Sequence, residues 1–118
     1  MSSETILELI QGSVKPFDVL LFDEENNAED LSTATDATLR IMKYIEDEAA
    51  NAVLDVDTDG ELSIDTANSK LTCAITTVQA DALPVGRFVA QANVKFSGKW
   101  FTTDPFHVLV SKRFAPTI

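Results

Sequence analysis

Apolar residues along most of this chain recur at every second position in short runs, and this period constrains the fold more than any other feature. Phe88, Ala90, Ala92 and Val94 share one side of the segment Arg87 to Phe96, and Phe106, Val108 and Val110 alternate in the same way near the end. Successive side chains of an extended strand point to opposite faces, so the alternation predicts strands with one buried face each. Phe17, Val19 and Leu21 obey the rule within residues 14–22; Leu62 with Ile64, then Leu71, Cys73 and Ile75, repeat it. Residues 5–10 read as a further short strand, ended by Gln11-Gly12-Ser13.

Turn signals separate these runs: Asp23-Glu24-Glu25-Asn26-Asn27, Asp59-Gly60, Asn68-Ser69 and Ser97-Gly98. The Leu62 and Leu71 runs are expected to pair as a hairpin. Thr76-x-x-Gln79 has capping-box spacing, which predicts one short helical turn near residues 77–82. Leu83-Pro84-Val85-Gly86 fits a type I turn, and Asp104-Pro105 interrupts the pairing before the last strand. Residues 36–54 admit two readings. Leu39, Met42, Ile45, Ala49 and Ala52 recur at helical spacing, with Asp36 as a cap, whereas Leu39, Ile41 and Ile45 alternate against Arg40, Met42 and Tyr44. The β-branched and aromatic content favours a strand over 38–45. Seven or eight short strands, with turn signals every eight to twelve residues or so, predict an all-β antiparallel β-sandwich that fills residues 1–118 as a single domain.

Composition agrees with a folded core. A chain of 118 residues buries roughly two-thirds of its unfolded surface, and 45% hydrophobic content is too high for charge-driven disorder. The longest apolar runs are a few residues, against the roughly twenty that a spanning helix needs, so no membrane crossing by helix is expected. Met1-Ser2-Ser3-Glu4 has neither a basic nor an apolar signal region, so a chain made and kept in the cytosol, or assembled into something there, is expected. Cys73 is the only cysteine, which excludes an internal disulfide or a zinc site built on several thiolates.

The formal charge of -10 is unevenly placed. The first sixty residues hold fifteen acids and three bases; the remainder holds four acids and six bases. Phosphate backbones and anionic lipid surfaces repel a chain of this kind, so neither nucleic acid nor membrane is an expected partner.

The order of these features resembles the N-terminal domain of the phage upper baseplate protein (BppU) and related small phage virion proteins. The matching pieces are an opening strand followed by Gln11-Gly12-Ser13, Asp30-Leu31-Ser32-x-Ala34, and a polar middle ending in Asp59-Gly60. They continue with a strand, a one-turn helix, Leu83-Pro84-x-Gly86-Arg87-Phe88 and a hairpin through Ser97-Gly98. The stretch around Glu46 to Asn51 has no counterpart, and the receptor-binding parts of longer members are absent. The resemblance covers nearly the whole chain and implies an immunoglobulin-like sandwich with a structural role. On that reading the protein is a non-enzymatic virion component of tail, baseplate or capsid. Its partners would be other virion proteins, met as a symmetric homo-oligomer or as repeated copies.

Several constellations invite a sharper chemistry. Asp55-Val56-Asp57-Thr58-Asp59-Gly60 matches the first half of a calcium loop, but the twelfth position is Thr66 where a bidentate Glu is required. An acidic turn is the expected reading. Cys73 falls on an inner face and His107 has the outward parity of its strand, so a nucleophile–base pair is not expected. The neighbouring carboxylates Glu24 and Glu25, or Glu46 and Glu48, would need a cleft to raise one pKa, which turns rarely supply, so a solvated rim is expected. No catalytic, cofactor or metal residues are therefore assigned. Trp100-Phe101 predicts one aromatic in the core and one outside, either as a contact or as a cap over the sandwich edge, and the strands at Thr5 to Ile10 and Phe106 to Val110 are the expected sheet edges. The rival functions are a soluble acidic inhibitor that mimics nucleic acid and a calcium-dependent adhesion module.

Overall fold

The computed structural model describes residues 2–3, 6–44 and 52–112. They form β1 (Ser2–Ser3), β2 (Ile6–Ile10), β3 (Phe17–Phe22), β4 (Ala34–Met42), β5 (Leu54–Asp57), β6 (Leu62–Asp65), β7 (Lys70–Cys73), α1 (Thr77–Ala82), β8 (Gly86–Phe96), β9 (Lys99–Thr102) and β10 (Phe106–Ser111). One sheet runs β1-β3-β7-β6; the other runs β2-β10-β8-β4-β5, with β9 also paired to β8. The described residues form an all-β sandwich with one short helix. Strands among the described residues number more than the expected seven or eight because the two-residue β1 and the four-residue β5 add to them. No helix among the described residues is long and apolar enough to cross a membrane.

The period of two decides which atoms meet. β8 turns Phe88, Ala90, Ala92 and Val94 inward, β10 turns in Phe106, Val108 and Val110, and the smaller sheet answers with Val19, Leu21, Leu62, Leu71 and Cys73. Burial of a leucine or isoleucine side chain contributes about 1.5–3 kcal/mol. Over residues 36–54 the strand wins as far as Met42. Ala37, Leu39 and Ile41 are all fully buried, and β4 has a neighbour on each side, with Leu39 opposite Ala92 and Val56 and Ile41 opposite Ala90 and Leu54. Small alanines across from large aliphatics leave room for close packing. The chain bends at 43–44, and Ile45 to Asn51, including Glu46 and Glu48, lie outside the described residues.

Two expectations are corrected. β10 is not an edge: it pairs antiparallel with β8 and in parallel with β2, His107 opposite Ile6 and Ser111 opposite Ile10. β1 joins the smaller sheet opposite Leu21 and Phe22 while β2 joins the larger one, so the opening segment is shared between layers. No hairpin links β2 to β10, and nothing therefore forces them to run antiparallel. β2 is the edge as expected. The second correction concerns Leu83 to Gly86, which is not closed as a hydrogen-bonded turn. Gly86 is already in β8 opposite Val110, and the Leu83 carbonyl accepts the Gln11 side-chain amide at 2.8 Å.

Local chemistry sets the remaining connections. Leu62 lies opposite Cys73 and Ile64 opposite Leu71 in the β6–β7 hairpin. Thr76 caps α1: its hydroxyl accepts the Gln79 N–H at 3.1 Å, and the Gln79 side chain accepts the Thr76 N–H at 2.9 Å. Between β8 and β9, Ser97 and Gly98 have φ of 49° and 81°, the positive pair that a two-residue hairpin needs to match strand twist. Gln11 and Gly12 fasten the opposite end, since Gly12 N–H donates to the Ala80 carbonyl at 2.9 Å beside the Gln11–Leu83 bond.

Candidate docking surface

β9 is the exceptional strand, because all four of its residues are exposed. It lines up with the C-terminal end of β8 only, Thr102 opposite Asn93 and Lys99 opposite Phe96, and its other edge has no described strand beside it. The chain then breaks rank. Thr103 is buried, its N–H donating to the Ala92 carbonyl at 2.9 Å and its hydroxyl accepting the Ala92 N–H at 3.1 Å, while Pro105 cannot donate to a ladder. β10 resumes at Phe106 along the same flank of β8.

Cross-strand register gives the two aromatics their faces. Phe101 lies opposite Val94 and so points to the inner face; Trp100 lies opposite Lys95 and points to the outer one. The expectation that one of them enters the core is corrected: Trp100 is 51% exposed and Phe101 is 49% exposed. Val94, opposite Phe101 on the same face, is fully buried, whereas Phe101 borders an open concavity. Phe101 rests edge-on against Phe96, ring centroids 5.6 Å apart at 70°, and Lys95 Nζ stands 5.8 Å from the centre of the Trp100 ring.

The space under Phe101 is a concavity of about 610 Å³, lined by Phe96, Phe101, Thr33 and the carboxylates of Asp23, Glu24, Glu25, Glu29 and Asp30. The 23–33 loop that carries them is held by its own hydrogen bonds. Asp23 Oδ1 accepts the N–H groups of Glu25 and Asn27, both at 2.9 Å, and Glu29 N–H donates to the Leu21 carbonyl at 3.0 Å. Asp30 Oδ1 accepts Ser32 N–H at 3.0 Å, which keeps its carboxyl below the ordinary carboxylate range. The two ion pairs of the described residues, Arg40–Asp55 at 3.3 Å and Lys70–Asp18 at 2.9 Å, involve none of these acids. An apolar floor thus meets an acidic wall that neither of the described ion pairs engages.

The other constellations stay apart. Cys73 is fully buried in β7, its thiol pushed up to about 12 chiefly by burial, while His107 faces solvent from β10 in the other sheet. They form no dyad. Asp55 and Asp57 are exposed on β5, Asp55 bound to Arg40 and Asp57 Oδ1 accepting the Asp59 N–H at 3.0 Å. Among the described residues no three metal-binding side chains converge, so the half calcium loop reads as a turn closed by Gly60 N–H on the Asp57 carbonyl at 3.1 Å. Glu24 and Glu25 belong to the wall described above. Sequence reasoning found the aromatic pair but missed this wall. Its acids precede β9 by some seventy residues, and only the sandwich brings the two together.

No protein-family model matches the chain, and no curated protein does. Among solved structures, CopC from Methylosinus trichosporium OB3b is similar over 97% of this chain and 91% of that one, at 13% identity and a TM-score of 0.48. A likeness this weak says nothing about function.

Proposed function

We propose that this protein is a non-enzymatic structural or attachment component of a bacteriophage particle, docking to neighbouring subunits through strand edges and loops. The observation that carries the docking role is β9: a strand with one open edge and a half-exposed aromatic on each face. Unpaired backbone groups at an edge accept a partner's strand, and exposed aromatics anchor interfaces.

The phage setting is supported by the residues that carry the baseplate resemblance. Leu83 to Val85 link α1 to β8, which Gly86, Arg87 and Phe88 open, and Gln11-Gly12 from the opening piece of the resemblance bonds to Ala80 and Leu83. Repetition by particle symmetry turns weak single contacts into firm attachment. Mass spectrometry of purified particles that encode the chain tests this reading. Presence in many copies is expected; absence from particles, with the chain abundant in the surrounding lysate, overturns it and favours the soluble inhibitor.

A further inference from the structure

We propose that the cleft between β9 and the 23–33 loop receives an extended basic segment of a partner protein. This segment adds to the open edge of β9 and sets lysine or arginine side chains against Phe101 and the acidic wall. The inference deepens the docking role above and rests on it, though not on the phage setting.

Three independent features select this occupant. The first is the edge. β2 covers the flank of β10 from His107 to Ser111, but the flank of β9 carries no described strand, which leaves a place one strand wide. Side chains of an added strand alternate between faces, so every second one falls on the side of Phe101 and the others beside Trp100. The second is the floor: Phe101 is half exposed and offers its ring beside Phe96, a surface suited to a guanidinium or to the methylene stem of a lysine. The third is charge. Asp23, Glu24, Glu25, Glu29 and Asp30 line one side of the cleft and take part in neither described ion pair.

The alternatives fit less well. A purely apolar segment would strip water from those carboxylates without replacing it. A second copy of this chain would bring acidic wall towards acidic wall. A metal ion needs convergent ligands, which the described residues do not provide. Nucleic acid would be repelled by the wall.

The probe is a capped eight-residue peptide alternating arginine and valine, titrated into the intact chain and followed by residue-resolved NMR. Expected are shifts concentrated at Lys99–Thr102 and residues 23–33. F101A, and separately E24Q/E25Q/E29Q, should weaken binding at least tenfold, and D57N/D59N less than twofold. The spectrum of each variant establishes its fold, and the glutamine variants test the wall without touching the aromatic floor. Equal losses from the wall and the Asp57/Asp59 variants would mean unspecific attraction to an acidic chain and would overturn the proposal. So would shifts centred elsewhere, or none at millimolar peptide. Absence of the chain from phage particles would remove the setting and leave this surface standing; failure of the peptide would do the reverse.

Discussion

Phe101 meets Phe96 edge-on at 5.6 Å and points to the inner face of its sheet, yet half of it remains in contact with solvent. Its inward direction follows from register, and its exposed half borders the concavity walled by the 23–33 loop. A residue in this position contributes little to the core and remains free to meet a partner.

The stability of the chain should therefore be nearly indifferent to β9. F101A and W100A are expected to change unfolding free energy by no more than about 0.5–1 kcal/mol, whereas L71A, at a fully buried site, should cost about 2–5 kcal/mol. Urea denaturation of the three variants measures the contrast.

Thr103 holds the break between β9 and β10. T103V preserves shape but removes the hydroxyl that accepts the buried Ala92 N–H, so a loss of about 1–3 kcal/mol is expected. T103S keeps the acceptor and should lose less. Thermal unfolding of the pair separates the hydrogen bond from the packing.

Cys73 should behave as a core residue. At pH 8 the folded protein is expected to resist iodoacetamide, and urea-unfolded protein to react fully, by mass spectrometry. The thiol is raised to about 12 from an ordinary value of 9.0, so the unfolded chain ionises first as the solution becomes alkaline. The stability associated with the neutral thiol is complete below pH 9 and lost as the pH climbs towards 12.

Asp18 shows the opposite sign. Hydrogen bonds from Lys70 and Thr72, at 2.9 Å each, hold its carboxyl below the ordinary value of 3.8. Its contribution is present above the unfolded pKa and disappears as the pH falls through the depressed folded value. The pair is partly exposed, so solvent screening keeps its effect on stability small. In K70M, an NMR titration of the Asp18 carboxyl should move back towards 3.8, and an unchanged titration would remove Lys70 as the cause.

Most of the fold could be read from the residues because alternation is a local signal. The faces of β3, β7, β8 and β10, the capped helix and the Ser97-Gly98 hairpin all depend on neighbours within a few positions. The errors lie where distant segments decide. Nothing near Phe106 to Val110 reveals that β2 will lie beside it in parallel, and the free Gly86 of a supposed turn was claimed by Val110, twenty-four residues later. The docking surface was half legible for the same reason. Trp100 and Phe101 announced an aromatic strand, but nothing within a few positions of them shows that both stay exposed, and a loop far earlier in the chain supplied the acids.

Hydrogen exchange at the β9 amides, in the free chain and in the assembled particle, tests the central claim most directly. Those amides of Lys99–Thr102 that do not bond to β8 should exchange rapidly in the free protein and become protected on assembly. Equal exchange in both states, with protection appearing at another edge or face, would contradict it.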